Sequence, residues 1–288
     1  MATDGSRLDS ELAGLDALEL AQASPRGRLS RLWSSTWPKV AAVTLALLAW
    51  QALVWSGWRR EWVLPPPGPV FGELAEQLRT ADFWRAAGVT TRRALTGYLL
   101  AVAIGCAVGV AVARLKPLRV AVGSLITGLQ TMPSIAWFPL AILFFKLSEG
   151  AILFVVVLGA APSIANGLIG GVDHVPPLLV RAGRTLGASG LSLFRHVVLP
   201  ASLPSFVGGL KQGWAFAWRS LMAGELIVIV ANRPSIGANL QFARVEADSE
   251  RLLATMIVIL VFGILVDTAF GRADGRIRSR YGLVDTAT

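Results

Sequence analysis

Six long apolar segments constrain this chain more than any other feature of its sequence. A bilayer core about 30 Å thick is crossed by roughly 20 apolar helical residues. Four of the segments lie at 40–56, 94–113, 151–170 and 252–270. Two are longer and interrupted: 118–147 contains Pro133 and Pro139, and 203–230 contains Lys211, Arg219 and Glu225. We therefore expect an all-α, polytopic membrane protein with six transmembrane helices, and we look for function in the two interrupted segments.

The overall composition excludes several other classes of protein. With 54% hydrophobic and 16% charged residues and a mean hydropathy of +0.59, the chain is too apolar for an ordinary soluble domain. Its net charge of +9 does not indicate nucleic-acid binding, because the basic residues flank the apolar segments instead of clustering on one surface. The single cysteine, Cys106, lies within an apolar segment and cannot support a disulfide framework or a cysteine metal site.

The distribution of Lys and Arg predicts the orientation in the membrane. If the amino terminus is cytoplasmic, the inner segments hold fifteen of these residues and the outer segments ten, as the positive-inside rule requires. We expect cytoplasmic tails at 1–39 and 271–288, on either side of a transmembrane domain at 40–270. In the first outer loop, the proline-rich stretch 64–70 should exclude regular helix, and a short interfacial helix should follow at about 71–78.

The loop between the fourth and fifth spans, residues 176–200, is much longer than a simple connection requires. It reads Arg181-Ala-Gly-Arg-Thr-Leu-Gly187, then nine residues, then Val197-Val-Leu-Pro200. Ala182 and Gly183 give the first part a small-residue helical surface that another protein can approach closely. Gly187 is placed to end this helix, and Pro200 to restart the chain towards the membrane. This segment should therefore dock on another protein.

The same segment resembles the coupling-loop motif of ABC importer permeases, which is Glu-Ala-Ala, three residues, Gly, nine residues and Ile-x-Leu-Pro. Four positions match and Val197 stands for the isoleucine, whereas Arg181 replaces the glutamate and Gly183 replaces the second alanine. The resemblance assigns the coupling role to Arg181, Ala182, Gly183, Leu186, Gly187, Val197, Leu199 and Pro200.

Further stretches resemble the nitrate, taurine and aliphatic-sulfonate branch of these permeases, and 211–225 is most similar to the sulfonate permeases. The others are Leu64-Pro-Pro-Pro, 132–140 and 186–204. The resemblance implies a type I importer fold, a homodimeric pore in the bacterial plasma membrane, two copies of a separate ATPase and an extracytoplasmic substrate-binding protein. It also implies that ATP and magnesium bind to the ATPase, and this sequence contains no Gly-x-x-x-x-Gly-Lys-Ser/Thr motif of its own. An aliphatic sulfonate is the expected substrate, with taurine, nitrate and bicarbonate as alternatives.

The charges in the fifth span need a reason, because a charge near the bilayer centre costs about 2.5–3.5 kcal/mol on insertion scales. Arg219 and Glu225 lie about 120° apart around a helix, so each should find its partner on another helix or in water. In one hypothesis, Arg219 offsets the charge of a sulfonate while Trp214 and Trp218 line or gate the pathway. In the alternative, both charges pair with neighbouring helices and the tryptophans pack a dimer interface.

In the third span, Pro133 leaves a backbone carbonyl without its helical donor. Such groups are tolerated at membrane depth when they face protein or a water-filled cavity. Gln130, Thr131, Pro133 and Ser134 thus form a candidate gate, with a purely structural kink as the alternative. The pairs Gly105/Gly109 and Gly167/Gly171 predict close helix packing.

Other functional classes find little support in the sequence. His174 and His196 lie 22 residues apart without metal-ligand spacing, and neither a Gly-x-Ser-x-Gly nor a His-Glu-x-x-His motif occurs. We expect no catalytic residues, no metal site and no cofactor on this chain, and Asp267 should form an interfacial ion pair instead of a proton relay. A secondary transporter would show corresponding broken helices in two repeats. It remains an alternative, as does an intramembrane enzyme.

Overall fold

The computed structural model describes residues 28–280, and within this range every regular element is helical. Five helices are long and apolar enough to cross a membrane, and a sharply bent pair supplies a sixth span. The elements are α1 (Arg28–Trp55), α2 (Pro67–Arg79), α3 (Ala81–Arg114), α4 (Lys116–Thr131), a 3₁₀ turn (Ser134–Trp137), α5 (Phe138–Phe145), α6 (Glu149–Asp173), α7 (Pro177–Thr185), α8 (Gly190–Leu193), a π-helical turn (Phe194–Val198), α9 (Leu199–Ile227), α10 (Ile236–Val245) and α11 (Ser249–Arg280). The expected six-span, all-α membrane protein is confirmed.

The described chain divides into two compact units. The first ends at Pro67 and contains α1, where the indole nitrogen Nε1 of Trp50 donates a hydrogen bond of 3.1 Å to the carbonyl oxygen of Pro65. The second begins at Gly68 and contains the remaining helices. Most of the predicted N-terminal tail and the last eight residues lie outside the described range.

The helix that follows the proline-rich stretch begins earlier than expected. We predicted no regular helix before residue 71, but α2 starts at Pro67 and includes Pro69. This prediction was wrong because the first-turn N–H groups of a helix have no intrahelical acceptor, so prolines there lose no hydrogen bond. The predicted interfacial helix at 71–78 lies inside α2.

Several spans extend beyond their apolar segments, and α3 and α11 are clear examples. The helix α3 starts at Ala81 instead of 94, where the Thr80 hydroxyl accepts a hydrogen bond from the Phe83 amide. At the other end of the chain, α11 continues to Arg280, past the expected boundary at 270. Hydropathy marks the residues that suit the bilayer core, whereas a capped helix continues into the polar interface.

The third span is broken at Pro133, as expected. Residues Gly123–Thr131 and Ser134–Phe145 form two helical arms that are bent by 102° relative to each other. Pro139 causes no break, in contrast to our expectation, because it occupies the first turn of α5, where its missing N–H is not needed.

The core forms around α6, which packs between α3 and α9. A Cβ atom on Gly105 would lie 2.7 Å from the carbonyl oxygen of Ala161, and one on Gly167 would lie 2.5 Å from the Cα atom of Gly209. These contacts depend on the missing side chains of the glycines, which let one helix approach the backbone of the other. Close packing at the predicted glycine pairs is confirmed, and it holds both α3 and α9 against α6.

Candidate coupling segment and transport pathway

The first part of the 176–200 segment is an independent short helix with a defined end. At the end of α7, the amide of Gly187 donates to the carbonyl oxygen of Arg184 at 3.0 Å. The amide of Ala188 donates to the carbonyl oxygen of Gly183 at 3.0 Å. Gly187 has a φ of +84°. These two bonds and the left-handed residue form a Schellman motif. The prediction that Gly187 terminates this helix is confirmed.

The second part of the segment differs from our prediction at Pro200. We expected the chain to restart there, but α8, the π-helical turn and α9 form one helical run from Gly190 to Ile227. Because a proline has no N–H to give to the preceding turn, a wider turn upstream accommodates it. The Leu199 amide bonds to the carbonyl oxygen of Phe194 five residues back. Pro200 therefore lies within a continuous helix and does not start a new one.

Gly183 holds the two parts of the segment against each other. It is buried, and a Cβ atom added to it would lie 2.8 Å from Cδ1 of Leu193 and 2.9 Å from Cγ2 of Val197. An alanine, which the resembled motif carries here, would collide with both side chains. The glycine therefore brings α7 into direct contact with the π-helical turn.

This packing leaves an apolar and basic surface on the outside of the segment. Leu186 is 88% exposed, Leu178 73% and Leu191 66%, whereas isolated domains usually cover contiguous apolar groups. Arg181 and Arg184 are exposed beside them, and residues 176–200 contain no Asp or Glu. The segment thus presents leucines and positive charge that no other part of the described chain covers.

The segment lies at one end of the long helices. The Arg114 guanidinium, at the C-terminal end of α3, lies 4.3 Å from the ring centroid of Phe194. The helix α3 has 34 residues and spans about 50 Å at 1.5 Å per residue. The N-terminal end of α3 is therefore at the opposite face of the bundle, which we call the distal face.

Five of the eight predicted pathway residues line a single cavity of about 340 Å³. Gln130, Thr131, Pro133 and Ser134 come from the broken third span, and Arg219 comes from α9. Phe216 and Gly159 complete part of the wall. The bend at Pro133 thus brings the polar residues of one interrupted span towards the charge of the other.

Gln130 is held in this cavity by α6. Its side-chain amide donates to the Ser163 hydroxyl at 2.9 Å and accepts from the Asn166 amide at 2.7 Å. Arg219 has no carboxylate within 4.0 Å among the described residues, and its guanidinium lies 5.3 Å from the Phe216 ring. The cavity therefore contains a cation without a contacting counter-charge beside hydrogen-bonding groups.

The tryptophans lie elsewhere. Trp214 and Trp218 are buried and stack on each other with ring centroids 6.3 Å apart. Trp214 packs edge-on against Tyr98, and Trp218 stacks on Phe262. They join α9 to α3 and α11, away from the cavity that contains Arg219, and they occupy packing positions within one chain.

Glu225 is also separate from that cavity, and it pairs with another helix. Its carboxylate oxygen Oε1 accepts from Nη1 of Arg93 at 3.0 Å, while Oε2 accepts from the Thr90 hydroxyl at 2.9 Å and the Gly237 amide at 3.0 Å. Arg93 also forms a double hydrogen bond with the carboxylate of Glu149, at 2.8 and 3.1 Å. Glu225 and Arg93 are 0% and 2% exposed.

This buried network joins α3, α6, α9 and α10 near the distal face. Our sequence reasoning placed Arg93 in an outer loop and did not consider Glu149. The signal that could have found Arg93 is the unpaired charge of Glu225, since an intramembrane carboxylate requires a cation and Arg93 immediately precedes the second apolar segment.

Asp267 forms an ion pair, as expected. Lys211 and Asp267 form an ion pair of 3.3 Å between α9 and α11, and His174 and His196 are exposed. Within residues 28–280, no three His, Cys, Asp or Glu side chains are grouped so that they could hold a metal ion.

Comparison with known proteins agrees with this architecture. Residues 97–279, more than half of the chain, match the family described as "Binding-protein-dependent transport system inner membrane component". An ABC transporter permease protein of Methanocaldococcus jannaschii is 31% identical over 179 residues, which cover 62% of this chain and 66% of that protein.

Two Escherichia coli permease proteins are also similar. The taurine transport system permease protein is 26% identical and covers 88% of this chain and 96% of its own length. A permease protein named for aliphatic sulfonates is 27% identical and covers 76% of this chain and 82% of its own length. Among solved structures, an inward-facing methionine ABC transporter superposes with a TM-score of 0.59 at 18% identity, over 68% of this chain and 96% of that one.

Proposed function

Because the chain belongs to the family of inner membrane components of binding-protein-dependent ABC importers, we propose that it forms half of a homodimeric pore that imports a small organosulfur anion. The chain is a multi-pass permease subunit and not an enzyme, since the family and its named relatives are permeases. ATP and magnesium then bind to two copies of a separate ATPase, and an extracytoplasmic binding protein delivers the substrate.

The exposed coupling surface carries this proposal. Leu178 and Leu186 lie on and at the fixed end of α7, Leu191 lies on α8, and nothing in the described chain covers these three side chains. A groove on the ATPase is the partner that would bury them. With the coupling segment on the cytoplasmic side, both termini are cytoplasmic and the distal face is the outer face.

The mechanism follows from the rigid connection between the coupling segment and the spans. The π-helical turn is continuous with α9, so a movement of α7 and α8 is transmitted directly to the helix that carries Arg219. ATP binding closes the ATPases, shifts both coupling segments and favours the outward-facing pore. ATP hydrolysis then restores the inward-facing state.

The cavity around Arg219 is the proposed pathway. A guanidinium without a contacting carboxylate can offset the charge of a sulfonate, and the amide and hydroxyl groups of Gln130 and Ser134 can replace water at its oxygens. We restrict the pathway to the residues that line this cavity, because Trp214, Trp218 and Glu225 are engaged elsewhere. An aliphatic sulfonate fits this chemistry, as do taurine, nitrate and bicarbonate.

The coupling proposal is tested by copurification of the permease with its ATPase. Exchanging Leu186 for glutamate removes an apolar contact of about 2 kcal/mol and should weaken the complex roughly thirtyfold. The matched control is Val245→Glu, because Val245 is 74% exposed on the distal face and should not affect the complex. Retention of the ATPase by Leu186→Glu at wild-type level would refute the coupling role.

The pathway is tested by uptake into proteoliposomes that contain the ATPase and the binding protein. Arg219→Gln should lower the uptake of anions while the complex still assembles. The control is Arg244→Gln, which removes an exposed arginine outside the cavity. If Arg219→Gln transports sulfonates as well as the wild type does, Arg219 is not part of the pathway.

A further inference from the structure

A second basic hollow lies on the distal face and is separate from the Arg219 cavity. It is shallow and has a volume of about 460 Å³. Arg85, Val89 and Arg92 on a single face of α3 form one wall, and Gly88 between them forms the floor. The opposite wall is the loop after α9, at Asn232–Pro234. Three arginine side chains thus border one small space.

The positive charge in this hollow is only partly offset by the groups around it. Arg92 and Arg233 have no carboxylate within 4.0 Å among the described residues. Arg85 bonds to Asp82 at 3.1 Å, but both side chains are mostly exposed to solvent. Glu149 is close enough to influence Arg92 and Arg233. Because Arg93 is shared between Glu149 and Glu225, these three side chains keep one net negative charge, which offsets part of the charge of the three arginines.

The walls of the hollow are fixed relative to each other. The amide of Ile236, just after the loop, donates to the Thr90 hydroxyl on α3 at 3.0 Å, and the next amide, of Gly237, donates to Glu225. Asn232 adopts a left-handed backbone with a φ of +57°, which turns the loop. The buried network thus keeps Arg233 opposite the α3 arginines.

The floor of the hollow is open. A Cβ atom on Gly88 would have no heavy atom within 4 Å, so the space above this glycine is free for a ligand. Guanidinium groups donate paired hydrogen bonds in a geometry that fits tetrahedral and planar oxyanions. Two guanidiniums without a contacting carboxylate, those of Arg92 and Arg233, also raise the local concentration of anions.

We propose that this hollow is a receiving site for a small oxyanion, such as a sulfonate, at the outer mouth of the pore. The proposal rests on the proposed function for its direction, since the distal face is the outer face only if the coupling segment is cytoplasmic. The hollow binds the anion as it leaves the binding protein, before it reaches the Arg219 cavity.

The test is equilibrium binding of radiolabelled ethanesulfonate to the full chain in nanodiscs of zwitterionic lipid. All variants carry Arg219→Gln, so that the pathway cavity does not contribute to the signal. This background should bind ethanesulfonate saturably, and added Arg92→Gln with Arg233→Gln should raise the Kd at least tenfold. Gly88→Glu, which places a carboxylate in the open floor, should have the same effect.

The matched control is Gly72→Glu, because Gly72 on α2 is also open to space but lies outside the hollow. Its Kd should be unchanged. Absence of binding in the Arg219→Gln background, or unchanged binding after loss of Arg92 and Arg233, would overturn the proposal.

A further binding measurement distinguishes a substrate site from a site for a lipid headgroup. If phosphatidylglycerol in the nanodisc displaces ethanesulfonate in proportion to its content, the hollow is a lipid site and the proposal is wrong. Copurification of the ATPase does not depend on this hollow. Failure of the receiving site is therefore distinguishable from failure of the permease function.

Discussion

The buried network around Arg93 gives the sharpest quantitative prediction. Arg93→Met would leave the carboxylate of Glu225, which is 0% exposed, without a cation. Removing one partner of a buried ion pair costs about 3–5 kcal/mol. At roughly 2–4 °C per kcal/mol for a domain of this size, the unfolding temperature in detergent should fall by about 6–20 °C.

Matched variants make the comparison specific. Arg85→Met breaks an ion pair of nearly the same length, 3.1 Å, but its side chains are 71% and 86% exposed, and such pairs contribute about 0–1 kcal/mol. Its unfolding temperature should change by no more than about 4 °C. Glu149→Gln should lower the unfolding temperature by an intermediate amount, because Glu149 is 30% exposed and Arg93 would keep its ion pair with Glu225.

A double variant tests the physical reason. Arg93→Met combined with Glu225→Leu removes both charges, so it should recover much of the stability lost by Arg93→Met alone. Unfolding followed by fluorescence-detected size exclusion provides the measurement. If the losses of stability caused by Arg93→Met and by Glu225→Leu simply add in the double variant, the destabilisation by Arg93→Met does not come from an unpaired buried charge. Our reasoning would then be wrong.

Three further predictions test local geometry. Gly187→Val places a β-branched residue at a φ of +84° and should cost about 1–2 kcal/mol at the end of α7. We expect this variant to stimulate the ATPase less than the wild type does, and Gly187→Asn to be closer to wild type. Equal stimulation by the two variants would count against the Schellman motif. Gly167→Val forces α6 and α9 apart at their closest approach and should abolish folded protein on size exclusion. Gly170→Val, three residues along the same helix but open to space, should fold normally, so equal yields of the two would contradict the packing argument. Gln130→Leu removes the contacts with Ser163 and Asn166 and should lower anion uptake without loss of assembly, whereas unchanged uptake would argue against the cavity.

Much of the fold could be predicted because the relevant signals are local. Apolar length gave the six spans, since the bilayer thickness sets a fixed number of helical residues. The Gly187 terminus and the break at Pro133 were also predictable, because each depends on the backbone of a few adjacent residues. Even here, the prolines at 67, 139 and 200 were misjudged, since their effect depends on whether a helix begins at them or passes through them.

The tertiary structure alone decided which charges meet. Nothing in the spacing of Arg93, Glu149 and Glu225, which lie 56 to 132 residues apart, indicates that they share one buried network. The sequence also does not indicate that Arg219 and Gln130 line one cavity. Nor does it indicate that Trp214 and Trp218 lie outside that cavity. Local periodicity determines which residues enter the membrane, whereas the partners of a charge depend on distances that only the packed helices define.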